Sequence, residues 1–176
     1  MKKSFIASAA VVAILFAGIG IYFGNKHSPI AKPPSPAIQQ MLAMTLPDSK
    51  GQPQKLSQWQ GKFLVVNFWA TWCAPCVQEM PELSALQNEL AAKNIQLLGL
   101  GIDSPSNIAE FASKYKITYP LFAAGMEGTE LSRQLGNQAG GLPFTVLIAP
   151  DGSLAKSYLG RLKMDELRAD ITKLTM

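Results

Sequence analysis

Between residues 63 and 76 the chain reads FLVVNFWATWCAPC, an apolar run that ends on two cysteines three positions apart. Phe63 to Trp69 is dense in β-branched and aromatic side chains, as in a strand covered on both faces, and such strands occupy the middle of sheets flanked by helices. After the cysteines, Val77, Met80, Leu83, Leu86 and Leu90 recur at helical spacing. A helix over about residues 74–93 is therefore expected to lay its apolar stripe on that sheet. Pro81 is expected to bend it, because proline removes a backbone donor to the preceding turn. The first cysteine then stands at a strand-to-helix junction and the second one turn into the helix.

Downstream the pattern alternates. IQLLGLGI (95–102) reads as a second central strand, and a helix over about 106–115 starts after Pro105, with Asp103 or Ser104 as its cap. A short strand near 120–123 and a helix near 127–135 follow. PFTVLIAPDGSLAKSYLG reads as antiparallel strands at 144–149 and 154–159 around the turn Pro150 to Ser153. A terminal helix near 163–174 is expected to turn Leu167, Ile171 and Leu174 inward. Upstream, MLAMTLPDSKGQPQKL (41–56) reads as a short strand, a turn at Asp48 to Gly51, and a second extended piece. The expectation is an α/β domain, a central mixed sheet flanked by helices.

The amino-terminal region is of another kind. Phe5 to Phe23 carries no charged side chain, and as a helix it would reach roughly 28 Å, close to the roughly 30 Å apolar thickness of a bilayer. A cleaved secretory signal has a shorter apolar stretch of about 7 to 15 residues and a small-x-small site, and neither is found here. An uncleaved signal anchor fits better, and a buried soluble helix fits worse. Prolines at 29, 33, 34 and 36 then suggest an extended, semi-rigid linker. The organisation read from these features is a transmembrane helix over 1–24, a linker over 25–37 and a folded domain over 38–176. His27, the single histidine, falls in the linker, where a solvated side chain is the plain reading.

The formal charge of +4 does not indicate nucleic acid. Lys2, Lys3, Lys26 and Lys32 account for it, and the remaining 12 basic residues (16 less these four) balance 12 acidic ones. Binding a phosphate backbone needs a concentrated basic surface on the domain, and none is implied.

Cys73 and Cys76 are the chain's two cysteines. Unpaired backbone N–H groups and aligned peptide dipoles at a helix start favour a thiolate, which lowers such a thiol's pKa, often to about 3.5 to 7.5. Cys73 is thus the candidate attacking thiolate and Cys76 the candidate resolving thiol. An inert disulfide and half a zinc site are the plainer readings. A disulfide across so short a loop restrains the unfolded chain less than a long one would, and a closed zinc site needs about four ligands, which this sequence does not supply. No metal and no cofactor is expected. Trp72 is expected to shield the thiols and offer an apolar contact surface. Of Phe68 and Trp69, which point to opposite faces, at least one is core, and Trp59 reads as a packing residue.

FLVVNFWATWCAPCVQEMPEL resembles the active-site region of the membrane-anchored, thioredoxin-like TlpA/ResA group, over about residues 38 to 174. The combination of W-C-x-P-C with a preceding N-F-W-A-T and a following E-x-P is specific, unlike a bare C-x-x-C. The resemblance implies a thioredoxin-like fold with an added N-terminal β-hairpin. It implies thiol–disulfide oxidoreductase activity. It identifies Pro143, in Gly141-Leu142-Pro143-Phe144-Thr145, with the family's cis-proline, although a proline there would otherwise be an ordinary trans strand start. Leu142 would then offer backbone groups to an extended partner segment. Trp72, Pro75, Leu142 and Pro143 are accordingly the candidate substrate-binding residues.

Thioredoxins carry a buried aspartate where this chain has Asn67, a neutral residue that cannot accept their proton. In the resembled group a glutamate after the second cysteine assists, and it matches Glu79, one helical turn beyond Cys76. A solvated helix charge like Glu82 is the plainer reading of Glu79. The resemblance further implies extracytoplasmic protein disulfides as substrates, commonly in cytochrome c maturation. Electrons would come from a thiol-reducing membrane relay to a single-pass bacterial inner-membrane protein whose domain faces the periplasm. A thiol oxidase is the alternative direction, since Ala74 and Pro75 do not determine the potential.

A thioredoxin-like peroxidase is a further alternative, because GIDSPSNIAEFASKYKITYPL also resembles peroxiredoxins. Their P-x-x-x-T-x-x-C pattern is missing, with Val66 and Ala70 at its positions. A copper chaperone of this fold would need C-x-x-x-C and a distant histidine, and the chain has neither.

Overall fold

The computed structural model describes residues 34–176; the apolar run at 5–23, His27 and all of the expected linker before Pro34 lie outside the described residues. The central sheet has five strands in the order β5-β4-β3-β6-β7, namely Leu121–Ala123, Ile95–Gly101, Phe63–Trp69, Phe144–Ile148 and Leu154–Leu159. β3, β4 and β5 run parallel, while β6 and β7 pair antiparallel, so the sheet is mixed as expected. The first two strands, β1 (Thr45–Pro47) and β2 (Pro53–Lys55), form a separate antiparallel ribbon. A bridge from Asp48 to Phe122 joins the turn after β1 to edge strand β5.

Every residue of β3 is buried, which is why its sequence carries no polar alternation. One face of the sheet presents Val65, Trp69, Leu97 and Leu147 to α2 (Ala74–Ala91), α3 (Pro105–Tyr115) and α5 (Met164–Thr175). The other presents Leu64, Val66, Phe68, Leu98, Leu100 and Val146 to α1 (Pro36–Ala43), a 3-10 turn at Leu56–Trp59 and α4 (Gly125–Gln134). Phe68 and Trp69 are therefore both core, one on each face. Trp59 packs edge-on against Phe122, with ring centroids 5.3 Å apart.

α2 carries Met80, Leu83, Leu86 and Leu90 buried and Val77 half-buried, and Pro81 stands inside it without ending it. The hydroxyl of Ser104 caps α3 by accepting from the Asn107 amide at 3.2 Å, whereas Asp103 accepts from the Ser104 amide and the Asn107 side chain.

Two expectations need correction. Residues 41–43, read as the start of a strand, close helix α1. Pro36 suits its first turn, and Ala37, Ile38 and Met41 form a buried stripe that a period-of-two reading of a short segment misses. Leu174, expected on the inner face of the terminal helix, is 42% exposed, one turn beyond Ile171, the last buried residue of that helix.

Candidate active site

Strand β3 ends at Trp69, and the chain turns through Ala70, Thr71 and Trp72 before α2 begins. Asp103, just past β4, pins this turn by accepting from both the backbone N–H and the hydroxyl of Thr71. Cys73 is the N-cap of α2, in extended conformation, and its sulfur accepts from the Cys76 amide at 3.3 Å. Proline suits the first turn that follows, where its missing N–H has no intrahelical partner to lose, and Pro75 stands there, exposed. The two cysteines are joined as a disulfide, with Cα atoms 5.3 Å apart. Cys76 is fully buried and Cys73 6% exposed, so of the two residues only Cys73 reaches the surface. Trp72 beside it is 70% exposed, a large apolar side chain facing solvent at the mouth of the site.

Antiparallel pairing of β3 with β6 sets Phe68 against Phe144, which brings the start of β6 to the edge where β3 delivers the cysteines. The Leu142–Pro143 bond there is cis. Pro143 is buried, and Leu142, half-buried, packs against the cluster that contains both cysteines. Next to this segment Leu159, at the end of β7, is 61% exposed.

Glu79 is not a solvated helix charge. It is fully buried on the sheet-facing side of α2, one turn beyond Cys76. One carboxyl oxygen accepts from the Asn67 amide at 2.9 Å and the other from the Leu162 backbone N–H at 2.9 Å. Burial raises its pKa from 4.5 to about 7, against the opposing pull of the Leu162 and Asn67 hydrogen bonds and of the Arg161 charge. A carboxyl in that state takes up or gives up a proton near neutrality, as an acid–base partner of a thiol must.

The structure thus gathers Trp72, Cys73, Pro75, Cys76, Glu79, Leu142 and Pro143 around one end of the sheet. Sequence reading passed over Thr145, whose hydroxyl accepts from Asn67 at 3.0 Å, and the Leu162 amide. Both reach Glu79 through pairings of elements about 80 residues apart, which no local pattern signals. Val66 and Ala70, where a peroxidatic pocket would carry proline and threonine, are fully buried core residues without a hydroxyl. The described residues hold no group of three or more metal-ligating side chains. An apolar cleft of about 440 Å³ lies at the opposite end of the sheet, lined by Ile38, Leu42, Trp59 and Ile148, and includes neither sulfur.

Residues 38–157 match the model of the AhpC/TSA family. The thiol-disulfide oxidoreductase ResA of Geobacillus kaustophilus is 26% identical over 175 residues, covering 95% of each chain. Among solved structures, a thiol:disulfide interchange protein of the thioredoxin family from Chlorobium tepidum superposes with a TM-score of 0.70 at 21% identity, covering 83% of this chain and 99% of its own. Peroxiredoxin Q of Xanthomonas campestris superposes with a TM-score of 0.65 at 21% identity, covering 84% and 98%. At such identities both structures speak for the fold alone, and the residues around the sulfurs must separate the chemistries.

Proposed function

The chain belongs to the AhpC/TSA family, with a thioredoxin-like domain, and from that premise we propose that it is a thiol–disulfide oxidoreductase that reduces protein disulfides through Cys73 and Cys76. The observation that carries the reading is a disulfide at the first turn of α2 with a buried carboxyl one turn behind it.

In the reduced protein the Cys73 thiolate attacks one sulfur of a partner's disulfide. A Cys73–partner bond forms, the partner's bond breaks, and its second sulfur leaves as a thiolate. Cys76 then loses its proton to the Glu79 carboxylate and attacks the Cys73 sulfur. The Cys73–Cys76 bond forms, the partner leaves with both sulfurs reduced, and the proton held on Glu79 passes to the departing thiolate. Two electrons have moved from the dithiol to the partner. Trp72, Pro75, Leu142 and Pro143 receive the partner as an extended segment along the cis-proline edge. A membrane thiol relay returns the electrons.

The apolar stretch Phe5 to Phe23 supports a single-pass anchor in a bacterial inner membrane, with the domain outside the cytoplasm where disulfides persist. In this reading the β1–β2 ribbon is the hairpin that the membrane-anchored group adds before the thioredoxin core, and exported proteins of cytochrome c maturation are the substrates. Peroxide reduction is disfavoured by Val66 and Ala70.

Replacing Cys76 by serine traps a partner on Cys73 as a mixed disulfide stable to non-reducing electrophoresis, and replacing Cys73 by serine traps none. The reverse pattern overturns the assignment. Equilibration against glutathione fixes direction: a potential below about −200 mV supports the reductant, and one near about −120 mV makes the protein an oxidase.

A further inference from the structure

The Glu79 carboxyl is held from two sides by Asn67 and Leu162, each of which is linked in turn to the segment around Pro143. On one side Asn67, an amide in the middle of an otherwise apolar buried strand, donates to Glu79 and to the hydroxyl of Thr145. Thr145 pairs with Asn67 across β3 and β6 and lies two residues beyond Pro143. On the other side Leu162 donates to the second carboxyl oxygen, and Gly160, two residues earlier, donates its N–H to the Pro143 carbonyl at 2.8 Å. Both oxygens are therefore tied to the cis-proline edge.

Core packing alone does not call for this arrangement. Burying an amide against a carboxyl is no more stabilising than apolar side chains of similar size, and the Asn67 carbonyl oxygen is buried without a partner among the described residues. An arrangement that gains so little stability is better explained by what it does to Glu79.

We propose that Asn67 is a positioning residue: clamped by Thr145, its amide orients the Glu79 carboxyl for proton exchange with Cys76 and couples it to the edge on which a partner disulfide docks. This rests on the role given to Glu79 above. An N–H donor favours the ionised carboxylate, the form that takes the Cys76 proton. Without it, Glu79 holds its proton to higher pH and resolution slows wherever the carboxyl is protonated. The other groups that bear on Glu79 are Arg161, which favours the anion, Glu82, which opposes it, and Tyr119, buried before β5. Strands β3, β4 and β6 contribute no charge.

The test mixes the reduced full-length chain, in detergent, with an aromatic disulfide and follows two thiolate releases between pH 5 and 9. The first reports attack by Cys73 and the second resolution by Cys76. In Asn67→Ala the second rate falls about tenfold at pH 6 and stays within about twofold of wild type at pH 9, with the first rate unchanged. Thr145→Val leaves the amide in place but unclamped and lowers the pH 6 rate about threefold. A loss equal at every pH, or no change in either variant, overturns the proposal. If Asn67→Ala does not fold, Thr145→Val alone decides in the same way. Glu79→Gln separates the two readings. If it leaves the wild-type pH limb intact, the role of Glu79 fails and this proposal with it. If it abolishes a limb that neither Asn67→Ala nor Thr145→Val moves, only the proposal fails.

Discussion

Replacing Glu79 by glutamine should stabilise the oxidised protein at neutral and alkaline pH while slowing its chemistry. An unfolded glutamate ionises near 4.5, and burial in the folded domain holds Glu79 protonated up to about 7. Between these values the folded state binds the extra proton, so stability falls as pH rises. The contribution is full below 4.5, declines through the interval, and is flat above about 7. A change from 4.5 to about 7 corresponds to about 3 kcal/mol. Glutamine has nearly the same shape and no charge to desolvate. Its carbonyl can accept from Leu162, and its NH₂ can meet the unpartnered Asn67 oxygen if that amide turns over. The measurement is urea unfolding of both oxidised proteins at pH 4.5 to 8.5, followed by tryptophan fluorescence. Because other titrations cancel in the difference, wild type should lose about 3 kcal/mol relative to the glutamine variant across the interval. A flat difference, or one that moves in favour of wild type as pH rises, would refute the account of Glu79 as a carboxyl kept in the core at a cost in stability.

Two further outcomes follow from named contacts. The Cys73 thiol, at the start of α2 and in reach of the Cys76 amide, should titrate below the ordinary value of about 8.5 when thiolate absorbance is followed in the Cys76→Ser protein; a value at or above it would contradict helix-start activation. Gly99→Ala should destabilise the domain by about 1 to 3 kcal/mol in urea unfolding, because the added methyl would overlap Leu121 Cδ2 and stand 3.2 Å from Trp69 Nε1 inside the packed face; a neutral result would mean that this face gives way more readily than its burial implies.

What the sequence makes legible is what is local. Phe63 to Trp69 announces a doubly covered strand because both of its faces are apolar, and the stripe from Met80 to Leu90 announces its helix because the core meets only one side of it. Helix α1 was missed for the converse reason. Its eight residues span little more than two turns, and its apolar stripe has meaning only once Leu64 and Ile148 on the sheet are there to receive it. The site divides in the same way. The cysteines, Trp72 and Pro75 belong to one contiguous motif. Pro143 was identified through resemblance, and its cis bond to Leu142 is seen in the structure.

The hydrogen-bond partners of Glu79 are not legible in the sequence, because Leu162 comes from a segment 83 residues away, whereas its place on the helix is. Glu79 and Glu82 are alike in sequence, three positions apart on one helix, yet one is fully buried between Asn67 and Leu162 while the other pairs with Arg161 at the surface. Three residues advance a helix by about 300°, and that offset is enough to move a carboxylate from the sheet face to water. The apolar stripe already fixes which side of α2 faces the sheet: Cys76, Met80 and Leu83 lie on it, and Glu79 lies among them. A charged residue placed inside a buried stripe, one turn from a reactive thiol, was therefore the available signal. The helix period places polar residues as strictly as apolar ones, and an acid on the buried face has to be either neutralised or put to use.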